Sequence, residues 1–141
     1  MQRWLWVTLP DIYVGRPLSV GEQFTWSCHP DTAVGARALL YRAEVLQDFS
    51  HVFVVDDEPY ADADISARYP GSLACVCTVK VALRRPITLR AVRGDAALSG
   101  WPAALVGFHS ASFPIQLNEW KALVALTGPD DRPRMRAVGG G

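Results

Sequence analysis

Residues 73–83 constrain the fold more than any other stretch of the chain. Leu73, Cys75, Cys77, Val79, Val81 and Leu83 are all apolar, with Thr78 and Lys80 among the residues between them. A strict period of two is the mark of a strand that buries one face. Ten prolines and eleven glycines cut the rest into short pieces, which favours strands over long helices. Residues 3–9 read as a strand, with Trp4, Trp6 and Thr8 on one face and Leu5, Val7 and Leu9 on the other. Residues 37–43, 51–56, 105–108 and 113–115 are further strand candidates. Gly15 to Glu22 reads as a short helix or loop, 24–32 as a loop, and Pro59 to Tyr69 as an exposed loop or weak helix. Arg84-Arg85-Pro86 is expected to end the long strand, with Ile87-Thr88-Leu89 resuming an extended path. A helix over roughly 117–127 carries Leu117, Trp120, Leu123 and Val124 on one stripe. Gly128 is expected to close it in a left-handed cap, and Pro129 cannot continue it.

These pieces make an α+β domain over residues 1–128. About six short strands curl into a small β-barrel, with flanking short helices and a C-terminal helix, because closing a sheet hides its edges. Residues 129–141 lack periodicity and are expected to be a disordered tail. The closing Gly139-Gly140-Gly141 reads as a floppy end rather than a conjugation handle.

Composition narrows the functional classes. The 141 residues match one compact domain, and a half-hydrophobic chain excludes disorder as a class. Fourteen Lys and Arg balance fourteen Asp and Glu. Generic salt-driven affinity for nucleic acid is therefore not expected, although a local basic patch on a neutral domain stays open. Only Lys80 and Lys121 are lysines; the other cations are arginines, which read phosphate in forks and stack on rings. No apolar run is long enough to span a bilayer, and the opening MQRWLWVTLP is broken too soon for a signal peptide. Cys28, Cys75 and Cys77 cannot all pair, so the expected location is cytoplasmic.

The run Trp26-Ser27-Cys28-His29-Pro30-Asp31 holds a nucleophile, a base and a carboxylate. A thiol hydrolase on Cys28 and His29 is the enzymatic alternative, but adjacent residues rarely point at each other, and the expectation is of no enzyme. The cysteines and histidines lack metal-ligand spacing, and there is no glycine-rich phosphate loop, so neither metal nor cofactor is expected. Tryptophan is the unusual resource. Of Trp4, Trp6, Trp26, Trp101 and Trp120, the helical spacing of Trp120 and the alternation of Trp4 and Trp6 suit core positions. Trp26 sits among Thr25, Ser27 and Cys28, which suits an aromatic wall for a flat heterocycle such as a flipped base.

Trp4-Leu5-Trp6-Val7-Thr8-Leu9-Pro10-Asp11-Ile12-Tyr13 resembles the opening strand of EVE domains, W-L-x-K-S-E-P-D-x-[YF]. Trp4, Leu5, Pro10, Asp11 and Tyr13 match, and Thr8 replaces the serine with another hydroxyl. Trp26 falls where those domains begin W-D-G-V-R-N, and Val34, Gly35 and Tyr41 match V-G-D-x-x-x-x-Y. The long strand to Pro86-Ile87 and the Trp120–Leu123 helix are similar in order and spacing. The likeness spans residues 3–127. The departures are Val7 and Leu9 for the lysine and glutamate, Ala36 for the turn aspartate, and Ser27-Cys28-His29 for D-G-V.

The resemblance implies a PUA-like barrel, related to YTH and ASCH domains, with a pocket for a modified nucleobase. It carries over Thr8 for the pocket serine and Trp26 for the cage wall, with Ser27 and Cys28 by position only; Tyr41 is a further candidate for the base-binding site. A second aromatic, Phe108 or Trp101, is expected opposite Trp26. Arg3, Arg16, Arg37 and Arg42 are the candidate phosphate track. The expected function is a non-catalytic reader of a modified cytosine in DNA, with a modified RNA base as its rival. Its expected partners are such a nucleic acid and an effector protein such as a nuclease, and no membrane. A module for a small heterocycle or a protein partner is the alternative of another class.

Overall fold

The structure is a computed structural model that describes residues 1–8, 17–101 and 112–140. Its strands are β1 (Arg3–Thr8), β2 (Gln23–Cys28), β3 (Arg37–Arg42), β4 (Asp48–Val55), β5 (Leu73–Thr88) and β6 (Ser112–Pro114). Its helices are α1 (Ala63–Arg68), α2 (Leu89–Gly94), α3 (Leu117–Ala125) and α4 (Arg132–Gly139). The strands form one six-stranded sheet in the order β2-β5-β4-β3-β1-β6. Among the described strands only β1 and β3 run parallel, in register from Arg3↔Arg37 to Thr8↔Arg42. The expected α+β class, a curled sheet with helices against it, holds. The candidate strand over 105–108 lies outside the described residues.

The period of two sorts side chains onto two faces, each with its own core. Trp4, Trp6, Ala38, Leu40, Phe53, Val55, Cys75, Cys77 and Val79 share the inner cluster, with Phe24 and Trp26 packed against it. Leu5, Leu39, Tyr41, Phe49 and Val52 face the helices, where Val92, Trp120, Leu123 and Met135 close over them. The long strand supplies both cores: its odd positions up to Val79 join the inner cluster, while Val81, Leu83 and Ile87 join the outer one. Two register shifts in β4, around Phe49/His51 and Val52/Phe53, accommodate that crossing.

Four local expectations fail for identifiable reasons. Residues 23–28 form a strand rather than a loop, because Phe24, Trp26 and Cys28 alternate with polar residues and pair with β5. Arg84-Arg85-Pro86 does not end β5 either. His51 pairs with Ala82 but Phe49 with Ile87, so these residues bulge from the ladder. Asp131 supplies the missing acceptors: Arg84 and Arg85 donate their N–H groups to Oδ1 and Oδ2 at 2.9 and 3.0 Å. Proline is tolerated at such a bulge because no ladder bond needs its missing N–H. Extension then gives way to α2, whose first turn Thr88 caps by accepting from Ala91 N–H at 3.0 Å. Gly128 is not among the left-handed residues; α3 ends at Leu126 in the right-handed region.

The expected disordered tail is in fact helix α4. Pro133 fits its first turn, where an N–H would lack a partner anyway. Met135 and Gly139, one turn apart, are buried against the body. At its far end the Gly139 carbonyl accepts from Arg3 Nη2 at 2.7 Å and Nε at 3.1 Å, and the Val138 carbonyl from Arg37 Nε at 2.6 Å. Cations on the last carbonyls satisfy orphan acceptors and oppose the helix dipole.

Candidate functional site

A cavity of about 540 Å³ opens between the end of β1 and β2. One wall is the end of β1, at Val7 and Thr8, and the other is β2, all of whose residues from Gln23 to Ser27 take part. Consecutive residues of one strand share a cavity when it lies along the strand's edge, since their side chains alternate faces. Among the described residues, β2 is an edge strand. Asp56 N–H donates to Val76 O, so Val76 turns its main chain toward β4. By the alternation of an antiparallel ladder, Cys75 and Cys77 then bond Trp26 and Phe24, and Thr25 directs its N–H and C=O to the open edge.

α1 covers the mouth with Asp64, Ile65 and Arg68, and Tyr69 follows it. Asp62 starts this helix by accepting from Ile65 N–H at 3.0 Å. None of its residues is buried, so it rests on the pocket without anchoring in the core. The Arg68 guanidinium lies over the Tyr69 ring, 5.6 Å from its centroid.

Trp26 is half-buried and serves both core and pocket. Its ring centroid lies 5.5 Å from that of Phe53 and 6.4 Å from that of Trp6, to which it is nearly parallel at 5°. Thr8 is only 2% exposed, and its buried hydroxyl has no hydrogen-bond partner among the described residues. The indole N–H of Trp6 is likewise buried and has no partner among the described residues. A buried polar group left without a partner costs about 1–3 kcal/mol.

Of the residues singled out from sequence, the structure brings Thr8, Trp26 and Ser27 to this cavity. Cys28 lies behind the wall, fully buried. Tyr41 and Trp101 are not near it: both belong to the helix-side core, where each packs on Phe49. Tyr41 pairs with Val7 and packs on the helix side of the sheet, opposite Trp6. Phe108 and Arg16 lie outside the described residues. Arg3 and Arg37 hold the end of α4, and Arg42 makes a two-pronged pair with Asp48 at 2.7 and 2.8 Å. These three arginines are therefore engaged structurally rather than free for phosphate. Sequence reasoning missed Gln23 and Phe24, although F-T-W-S-C alternates visibly, and it missed Asp64, Ile65 and Arg68.

The hydrolase alternative loses its chemistry here. The neighbouring Cys75 sulfur and burial push the Cys28 thiol far up, so no thiolate is available near neutral pH. Contact with Cys28 pulls the Cys75 thiol down, but Cys77 and burial outweigh it and leave it at about 12. The His29 ring stacks on Trp4 at 5.0 Å, and its Nδ1 accepts from Asp31 N–H at 3.0 Å. Among the described residues, no three His, Cys, Asp or Glu side chains gather as metal ligands would, and no helix is long and apolar enough to cross a membrane.

No family model matches the sequence, and no curated protein matches it significantly. Solved structures do. The chain is similar to Rpa0253 from Rhodopseudomonas palustris, with TM-score 0.71 and 19% identity over 91% of this chain and 94% of that one. It is similar to human THYN1, a structure solved in complex with DNA containing 5-methylcytosine, with TM-score 0.69 and 11% identity over 89% and 97%. A mutant form of an ASCH protein from Zymomonas mobilis aligns with TM-score 0.56 and 12% identity over 91% and 100%. At these identities the likeness is one of fold, and the fold is the PUA-like one of EVE and ASCH domains.

Proposed function

We propose that this protein is a non-catalytic nucleic-acid reader that takes a modified base into the cavity between β1 and β2. The base assigned is a modified cytosine in DNA, such as 5-methylcytosine or 5-hydroxymethylcytosine. The observation that supports it is a half-exposed indole, Trp26, and a buried hydroxyl with no partner among the described residues, Thr8, in the lining of one cavity. Trp26 supplies the stacking face, a contribution of ~1–3 kcal/mol per base. Thr8 supplies a polar contact to the base, and the open edge at Thr25 supplies a donor and an acceptor side by side. The complex of human THYN1 with 5-methylcytosine DNA supports the reading at the level of the shared fold.

A second reading has one observation in its favour. Asp56, Asp57, Glu58, Asp62 and Asp64 crowd the segment that leads into and forms the cover of the cavity. That charge repels phosphate and suits a free heterocycle. Anisotropy titrations with labelled DNA and RNA oligomers, each with and without the modified base, decide between them. A reader prefers the modified DNA oligomer and weakens with salt. Equal affinity for all four removes the reader assignment, and tighter binding of the modified RNA moves it to RNA.

A further inference from the structure

Among the described residues, a group of exposed cations sits on a segment that the sequence motifs did not single out. Residues 84–93 carry four arginines and no acid: Arg84, Arg85, Arg90 and Arg93. All four are exposed. Two devices display them. Arg84 and Arg85 stand on the bulge of β5, whose main chain is held down by the Asp131 carboxylate, and the Arg84 side chain is 74% exposed. Arg90 and Arg93 are three apart on α2 and share its outer side, while Leu89 and Val92 bury its inner one. The acids beside them are Asp130, 3.7 Å from Arg84, Asp95 just after α2, and Asp131, which is paired with Arg134, so four cations face three carboxylates, one of them already paired.

The register relates this patch to the cavity. Thr8 pairs with Arg42, Arg42 with Asp48, and Asp48 with Thr88, which caps α2. The cavity wall and the start of α2 therefore share one cross-strand row, three strand spacings or roughly 14 Å apart along the sheet. Arg42 and Asp48, between them, neutralise each other. On the other side of the cavity runs the acidic segment from Asp56 to Asp64, which turns a polyanion away. A duplex carries one charge per ~1.7 Å of axis, so an extruded base brings several phosphates within that reach.

We propose that Arg84, Arg85, Arg90 and Arg93 form the surface that carries the phosphate backbone of the nucleic acid whose base enters the Trp26 cavity. The assignment rests on the reader function above. The test measures binding of 5-methylcytosine and unmodified DNA oligomers across a salt series to the full chain. The variants are the doubles Arg90→Gln/Arg93→Gln and Arg84→Gln/Arg85→Gln. Each double is expected to bind both oligomers at least about tenfold more weakly and to keep their ratio. Its log K against log salt slope should be shallower by up to about two units, at ~0.9 for each phosphate left without its arginine. An unchanged melting temperature excludes misfolding as the cause.

Wild-type affinity and slope in both doubles overturn the patch while leaving the base preference standing. Equal binding of both oligomers by the wild type, weakened in the doubles, upholds the patch and overturns the base reading. Polyglutamate bound as tightly as DNA at equal salt overturns the assignment in favour of an acidic protein. No binding of either oligomer at low salt overturns both proposals.

Discussion

Gly139 packs flat on the indole of Trp120: a β-carbon at Gly139 would lie 2.1 Å from Nε1 and 2.2 Å from Cε2. The closing helix and the terminal helix meet at this point, and only a residue without a side chain lets them. Gly139→Ala is expected to cost ~1–3 kcal/mol, the usual penalty of overpacking. A lowered melting temperature, with faster tryptic cleavage at Arg134 and Arg136, reports the undocked helix. An unchanged melt shows that the interface yields.

Trp120→Ala and Trp26→Ala should separate stability from binding by degree. Trp120 is fully buried, and its loss should cost ~3–5 kcal/mol. Trp26 is half-buried against Phe53, so its truncation should cost roughly 1–2 kcal/mol of lost burial while removing oligonucleotide binding. Trp26→Phe keeps a stacking face and should restore part of the affinity. Thermal melts beside binding curves give both numbers. Trp26→Ala melting as low as Trp120→Ala would make it a core residue alone.

How much of this was legible depends on where each signal lay. The 73–83 alternation placed the central strand because every odd residue there enters a core. β2 carries the same alternation in Phe24, Trp26 and Cys28, but the reactive-looking Ser27-Cys28-His29 masks it with residues that suggest a loop. α4 was hidden by Arg132, Arg134 and Arg136, which obscure the Met135–Gly139 spacing. Tyr41 and Trp101 were misplaced because an aromatic side chain declares that it packs, not on which face. Arg3 and Arg37 read as phosphate ligands since nothing local shows that their acceptors are carbonyls a hundred or more residues away.

The fold should weaken in mild acid through His51. Burial, with the Arg42 charge close by, holds its imidazole below the ordinary value; the Leu18 main chain and Asp48 oppose this more weakly. A depressed folded-state value means that the unfolded chain takes the proton first. The stabilisation is complete above about pH 6.5 and is lost as pH falls from there through the folded value. His51→Gln should flatten the melting temperature between about pH 7.5 and 5.5. An equally steep decline in that variant assigns the effect elsewhere.

A second acid step should follow through Asp131. Burial alone would raise its carboxyl, but the N–H groups of Arg85 and Arg84 and the Arg134 guanidinium together hold it below the usual carboxylate value. Its contribution is present above about pH 4 and disappears as pH drops through the depressed value. Asp131→Asn should remove this step and lower the melt at neutral pH, since one acceptor becomes a donor beside a buried N–H. Calorimetric melts from about pH 7 to 3 resolve the two steps.

The native thiols should resist alkylation. Cys28, Cys75 and Cys77 are fully buried, and Cys28 and Cys75 are held protonated near neutrality. Iodoacetamide at neutral pH is expected to label the folded chain far more slowly than the denatured one. Rapid stoichiometric modification of Cys28 would reopen the nucleophile reading.

The bonds that Asp131 and the end of α4 make with the body also decide what counts as the smallest foldable unit. A fragment stopped at residue 128, where periodicity in the sequence fades, would leave the amides of Arg84 and Arg85 unanswered and the guanidinium groups of Arg3 and Arg37 facing no helix-end carbonyl. It would also strip the cover from the Trp120 indole. Such a fragment is expected to be sticky and short-lived in solution, so any shortened form intended for crystallisation or titration must run through Gly139.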